Sequence, residues 1–402
     1  MDIHRIALLG DKDHGKSTFI GSMLMLTKSV SDARIGEAKR MSKELGRPFE
    51  PGFILDSFSE EREDAMTIDT TRAQLRYKGF GFEFIDVPGH EELIANMLTG
   101  ASSAGTAVLM VSAKKGEGIS SQTKRHLLLA RMLGIDRIVV AVNKMDTVGY
   151  SKAAFEAIAG PIESFISNSS KAFGGIDAEI VPISAYKGDN LISRSKSMKW
   201  YKGMLLVEAM QAYASKRTGM VKTGLRAIVQ GPIGSNQVAC KVLSGKISKG
   251  STVIALPNNS RHVVERVIKA GRSVASAAAG DAPMVAMGGA QGVQRGSVLC
   301  YEDDKPLVGS SVQSIVFLVK KPTMPVLKLA TQERRCRLSI SRSIDIDKGT
   351  LEKAGRFVQL GIYKAIVNTG KPIAYERFSK LRELGRFTLH EGGKFVGVGI
   401  MA

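Results

Sequence analysis

Near its start the chain carries Gly10-Asp11-Lys12-Asp13-His14-Gly15-Lys16-Ser17, a fit to GxxxxGK[ST] between a strand pattern and a helix pattern. Glycines let such a loop turn tightly, so that successive N–H groups converge on phosphate oxygens. The helix that follows adds the positive end of its dipole. Lys16 is placed to reach β- and γ-phosphates and the Ser17 hydroxyl to ligate Mg²⁺. Gly10, Asp11, Asp13, His14, Gly15 and Thr18 complete the candidate cradle, His14 as a structural rather than a catalytic member.

Three further tetrapeptides add chemistry, each at the end of a strand pattern. Asp86-Val87-Pro88-Gly89 offers a carboxylate for the Mg²⁺ shell and a glycine free to turn its peptide toward a γ-phosphate. In Asn143-Lys144-Met145-Asp146, Asp146 can accept two hydrogen bonds from the N1–H and N2–H₂ edge of guanine, an edge adenine lacks. Asn143 tethers that loop, and the stem of Lys144 packs over the base. Ser184-Ala185-Tyr186-Lys187 closes the base pocket with backbone N–H groups on the guanine O6. Four such segments in this order specify a guanine nucleotide.

The elements that must position these loops alternate. Strand patterns at Ile3–Leu9, Phe82–Asp86, Ala107–Ser112, Ile138–Asn143 and Glu179–Ile183 are separated by helix patterns at Lys16–Leu26, Glu92–Leu98, Gln122–Met132 and Ala153–Asn168. Trp200–Ala214 reads as a final helix. This alternation predicts a doubly wound, mostly parallel α/β sheet. From about Thr218 the texture changes to short β-rich runs punctuated by Gly, Pro and Asn, through Gly296–Leu299. A second such series follows, including Val312–Val319, Val326–Ala330 and Arg356–Ile362. These runs predict two β-barrels. The expected domains are 1–217, 218–305 and 306–402.

Composition excludes several classes. The 402 residues are 44% hydrophobic and 24% charged, ordinary globular usage. No run approaches the roughly 20 apolar residues of a membrane span. Cys240, Cys300 and Cys336 lack metal or disulfide spacing, and with no signal pattern at the start they place the chain in a reducing cytoplasm. Charge is uneven: residues 1–216 hold 28 Lys+Arg and 26 Asp+Glu, whereas residues 217–402 hold 29 and 12, a net of +17. The second half can therefore attract polyanions or an acidic partner.

The order of phosphate loop, DVPGH, NKMD and SAYKGDN, followed by two barrels, resembles the translational-type GTPases of the elongation factor Tu and elongation factor 1-alpha superfamily over essentially the whole chain. The resemblance implies an α/β P-loop GTPase domain followed by two β-barrel domains, a GTP/GDP cycle and Mg²⁺. It also implies that Thr67 is the switch threonine closing on Mg²⁺ and γ-phosphate, and that His90 orients the attacking water. Ser17, Thr67 and Asp86 are then the metal-shell residues. Asp64-Ala65 departs from the Arg-Gly pair of the elongation factors and removes a glycine's access to positive φ.

Within the superfamily, Met66–Thr71, Glu91, Val253–Pro257 and Leu327–Glu333 resemble the GTPase subunit of sulfate adenylyltransferase, which implies an ATP-sulfurylase-type partner. Asp13–Lys16 and the basic second half suit the other reading, a carrier of aminoacyl-tRNA to the ribosome with or without a nucleotide-exchange factor. A ribosome-associated paralogue is a third. The expectation from the short segments is the sulfate-type subunit. With nothing after Ala402, a fused kinase or a fourth domain is not expected.

Overall fold

The computed structural model describes residues 3–44, 46, 48–55, 72–86, 104–215, 223–289 and 292–402. Two compact units form, one of residues 1–218 with 345–350, the other of 219–344 with 351–402.

The first unit is built on six strands: β1 Ile3–Gly10, β2 Arg72–Tyr77, β3 Phe80–Asp86, β4 Thr106–Ser112, β5 Arg137–Asn143 and β6 Asp177–Pro182. Their order is β2-β3-β1-β4-β5-β6, parallel except for β2, which is antiparallel to β3. A parallel sheet is apolar on both faces because its crossover helices cover both. Hence β4 is buried at every residue and β5 at all but its first. The covering helices include Lys16–Leu26, Ser121–Met132, Lys152–Phe173 and Leu206–Ser215. One core cluster joins Phe19 and Ile20 of the first helix to Phe82 and Phe84 of β3 and to Leu206 and Met210 of the last. With β1, β3, β4, β5 and β6 parallel, their carboxyl ends share one edge, where a doubly wound sheet binds its ligand.

Several elements differ from expectation. The helix Asp32–Glu44 has only Ala38 and Ser42 buried, so its sequence shows no apolar stripe. Strand β2 is an edge strand with only two buried apolar residues, Ala73 and Leu75. The final helix begins at Leu206, not Trp200. Trp200 donates its indole N–H to Tyr150 O at 2.9 Å and packs on Phe155, while the Tyr201 hydroxyl donates to Met204 O at 2.9 Å. These side-chain anchors hold residues 200–204 outside the helix. The expected helix Glu92–Leu98 lies outside the described residues, as do Thr67, Gly89 and His90.

The second unit contains two β structures. In the first, Thr252–Leu256 pairs with Val298–Cys300 on one side and Ser260–Lys269 on the other, closing a ring through Arg226–Ile233, Gln237–Ser244 and Met284–Met287. Closure removes exposed strand edges. The second is an eight-stranded sheet from Leu307 to Met401, dominated by the pairing of Leu307–Leu318 with Gly361–Tyr375. Residues 356–360 are not strand as expected. The Tyr363 hydroxyl donates to Val358 O at 2.6 Å and accepts from Val358 N–H at 2.8 Å, replacing a ladder with one side chain. Cys240, Cys300 and Cys336 are buried and unbridged, and burial pushes the Cys240 thiol up to about 12.

The two β structures share a small apolar seam of Ile228, Ile254, Leu256, Val298, Cys300, Ala374 and Leu384. Beside it Arg226 is fully buried, yet all its donors are used. Nε and Nη2 donate to Glu376 Oε1 at 2.8 and 2.7 Å, Nη2 to Asp304 Oδ1 at 3.0 Å, and Nη1 to Asp304 O and Leu225 O at 2.7 and 2.9 Å. Burial alone would raise the Asp304 carboxyl, but the hydrogen bonds from Arg226 and Gly224 N–H, with the charges of Arg226 and Lys380, together outweigh it and hold Asp304 below its ordinary value. Among the described residues, no helix is long and apolar enough to cross a membrane.

Removing one member of a buried pair strands the other's charge, at a cost of about 3–5 kcal/mol. Because Lys380 Nζ also lies 3.3 Å from Glu376 Oε1 and 3.5 Å from Asp304 Oδ1, Arg226→Ala should cost the second unit the lower end of that range, about 3 kcal/mol, in urea unfolding followed by circular dichroism. Arg226→Met with Glu376→Leu should recover most of the loss. A single variant within about 1 kcal/mol of wild type would show that the cluster adds nothing.

Candidate nucleotide site

The phosphate loop leaves β1 at Gly10, where a Cβ would stand 2.6 Å from Met110 O, so only glycine lets the loop lie against β4. His14 is buried, and its Nδ1 meets the Met110 carbonyl at 3.2 Å, which requires Nδ1–H as donor. Burial, opposed by that bond, lowers its pKa from the ordinary histidine value. His14 thus anchors the loop as a neutral ring. Lys16 Nζ donates to Gly10 O and Asp11 O at 2.8 and 2.9 Å, folding back over the loop. The helix Lys16–Leu26 has Gly15 at its N-cap and no side-chain cap. Its first N–H groups are thereby left for an anion.

At the other end, Asn143 is 2% exposed and joins three loops. Its Nδ2 donates to His14 O at 2.9 Å, and its Oδ1 accepts from Ala185 N–H at 2.9 Å. Gly15 passes so close that a Cβ there would lie 2.4 Å from Asn143 Nδ2. Asp146 Oδ1 accepts from the Ser184 hydroxyl at 2.6 Å, which sets the plane of its carboxylate. Lys144 has φ 63° and its Nζ meets Glu117 at 2.7 Å.

Between these groups lies a cavity of about 690 Å³. That volume is within the range of small-molecule sites and suits a nucleotide. Asp13, Gly15, Lys16, Ser17 and Thr18 line one end; Asn143, Lys144, Asp146 and Tyr186 line the other. Gly10, Asp11, His14, Ser184 and Ala185 stand behind this lining and hold it in place. Asp86 ends β3 beside β1, its neighbour in the ladder being Leu8. Hydroxyl and carboxylate oxygens, the groups that Ser17 and Asp86 carry, are of the hard type that Mg²⁺ takes. Among the described residues no three His, Cys, Asp or Glu cluster for a metal.

Sequence reasoning missed Glu117, Ser120 and the depth of His126. Nothing local to residues 114–118 shows that Glu117 reaches Lys144. His126, which the sequence reads as an ordinary polar residue of its helix, is deeply buried. It is 4% exposed, with Nδ1 3.9 Å from Asp11 Oδ1, and burial, partly opposed by Asp11, lowers its pKa to about 4. It is neutral at pH 7.

Residues 1–228 match the family described as elongation factor Tu GTP binding domain, and residues 316–402 match the GTP-eEF1A C-terminal domain-like family. The chain is similar to elongation factor 1-alpha of Aeropyrum pernix, at 34% identity over 98% of the chain and 95% of that protein. It is likewise similar to elongation factor 1-alpha of Hyperthermus butylicus, at 33% identity with the same coverage, and of Thermoplasma volcanium, at 32% over 97% of the chain and 95% of that protein. A solved structure of sup35 complexed with GMPPNP covers 100% of the chain and is itself covered to 94%, at 23% identity and a TM-score of 0.44.

The geometry of Asp146 generates a specificity test. Asp146→Asn should weaken guanosine nucleotides by about 10- to 100-fold and favour xanthosine nucleotides, because an amide can pair with a 2-oxo group. Competition between GDP and XDP for the purified variant reads this directly. Unchanged preference for GDP would remove Asp146 from base recognition.

Proposed function

We propose that this chain, which belongs to the GTPase family built on the elongation factor Tu GTP-binding domain, is a GTP-switched carrier that delivers aminoacyl-tRNA to the ribosome. The observation that carries the reading is its end-to-end similarity to proteins named elongation factor 1-alpha, which runs through both β structures as well as the GTPase domain. The expected sulfate-activating role finds no support among those relatives, whose names favour the carrier instead. The net +17 of residues 217–402 also suits RNA, since each phosphate neutralised releases counterions and favours binding.

The chain hydrolyses GTP, and its own residues suggest how that is coupled to cargo. Lys16 and the open helix N-terminus hold the phosphates, while Asp146 and the Ala185 loop hold the base. Ser17, Asp86 and Thr67 are the residues that would hold Mg²⁺, which when bound would supply positive charge against the β- and γ-phosphates. The family resemblance implies that Thr67 and Gly89 would each gain a γ-phosphate contact that GDP lacks, which would let GTP favour one state of the switch. His90 positions a water for attack once the ribosome aligns it. Positioning suffices, because a largely dissociative transfer demands little of the nucleophile. On this reading the protein works in the cytoplasm.

The test is a filter-binding and turnover assay. The GTP-bound form should bind aminoacyl-tRNA at least about tenfold more tightly than the GDP-bound form, a coupling of ordinary allosteric size, and binding should weaken steeply with salt. Ribosomes carrying aminoacyl-tRNA should accelerate hydrolysis, and His90→Ala should lose that acceleration while still binding GTP. Acceleration by an ATP-sulfurylase-type protein with ATP and sulfate, and none by ribosomes, would contradict the carrier.

A further inference from the structure

We infer that residues 117–123, which lie outside all four nucleotide motifs, clamp the bound nucleotide from both ends by holding Asp11 of the phosphate loop and Lys144 of the base loop. The inference concerns nucleotide retention and stands whatever cargo the β structures carry.

A carboxylate at position 11 is not what phosphate binding asks for, since the second position of the motif is free and a negative charge there opposes a polyanion. The structure gives it a different task. Its side chain is 14% exposed, turned toward the start of the helix Ser121–Met132. Oδ2 accepts from the hydroxyls of Ser120 and Thr123, the latter at 3.3 Å. Those hydroxyls also build the helix cap. Ser120 Oγ accepts from Thr123 N–H at 3.0 Å, and Thr123 Oγ1 accepts from Ser120 N–H at 3.3 Å. Each hydroxyl accepts one backbone N–H and donates its proton to Asp11, a carboxylate that can only accept and whose charge also suits the positive end of the helix. The Asp11 carbonyl meanwhile accepts from Lys16 Nζ at 2.9 Å. Residue 11 therefore ties the phosphate-binding ammonium to the helix.

Three residues before Ser120, Glu117 does the same for the base. It pairs with Lys144 at 2.7 Å and with Lys114 at 2.9 Å. Burial would raise its carboxyl, but the hydrogen bonds from Lys144, Ser112 and Lys114 outweigh this and bring it down to about 2. One short segment thus grips a residue on each side of the cavity. Release of the nucleotide requires the two loops to part, and the segment resists that parting.

The experiment is stopped-flow release of a fluorescent GDP analogue from the full chain. Asp11→Ala and Glu117→Ala should each speed release by about tenfold, the scale of one charge-assisted hydrogen bond. Asp11→Asn, whose amide oxygen can still accept from Ser120, should recover most of the slow release. Because one segment carries both grips, the double alanine variant should fall short of the product of the single effects. Unchanged release in both single variants would overturn the clamp. So would faster release in the double variant equal to that product, or a fall in thermal stability of the nucleotide-free protein with release unaltered.

Discussion

The Asn143 side chain spans from the carbonyl of His14 to the N–H of Ala185, and the nucleotide site depends on that span. A purine nucleotide needs its phosphates and its base held at a fixed separation, yet the loops that hold them leave different strands and share no ladder. An amide with both ends satisfied, 2% exposed, fixes that separation. Leaving either end unmade inside the protein would carry the full desolvation cost of the group. Gly15 follows from the same constraint, because any side chain there would occupy the space of Asn143. So does the parallel sheet, which brings the carboxyl ends of β1, β5 and β6 to one edge.

The second unit solves a different problem. Two β structures, each with its own apolar core, meet through a seam of few apolar residues. Arg226 adds directional bonds where apolar area is small. A buried arginine is costly to desolvate, so this cluster does not add stability in proportion to its bonds. Its five satisfied donors favour one relative placement of Glu376, Asp304 and Leu225 over others, a geometric selectivity that non-directional apolar contact lacks.

How much of this was legible in the sequence follows from what each feature depends on. That Lys16, Asn143 and Asp146 line one cavity could be expected, because phosphate and guanine dictate residue type at fixed spacing and these residues have few chemical substitutes. The alternating strands could be read because a parallel sheet demands unbroken apolar runs such as Thr106–Ser112. The helix Asp32–Glu44 and strand β2 could not, because neither buries enough to leave a periodic mark. Asp11, Glu117 and Arg226 read as three charges among many, and their partners lie 109, 27 and 150 residues away. Spacing of that length carries no local signal. The sulfate-type expectation rested on short segments such as Leu327–Glu333, whereas the similarity to proteins named elongation factor 1-alpha extends over 98% of the chain.

Calorimetric titration of the nucleotide-free protein tests most directly whether the site is guanine-specific and magnesium-assisted. With Mg²⁺ present, GTP and GDP should each bind one to one. ATP should bind at least about a thousandfold more weakly, since a base pocket built to pair with guanine leaves Asp146 unpaired against adenine. Equal affinity for ATP and GTP, or no heat from either guanine nucleotide, would contradict a guanine-specific site.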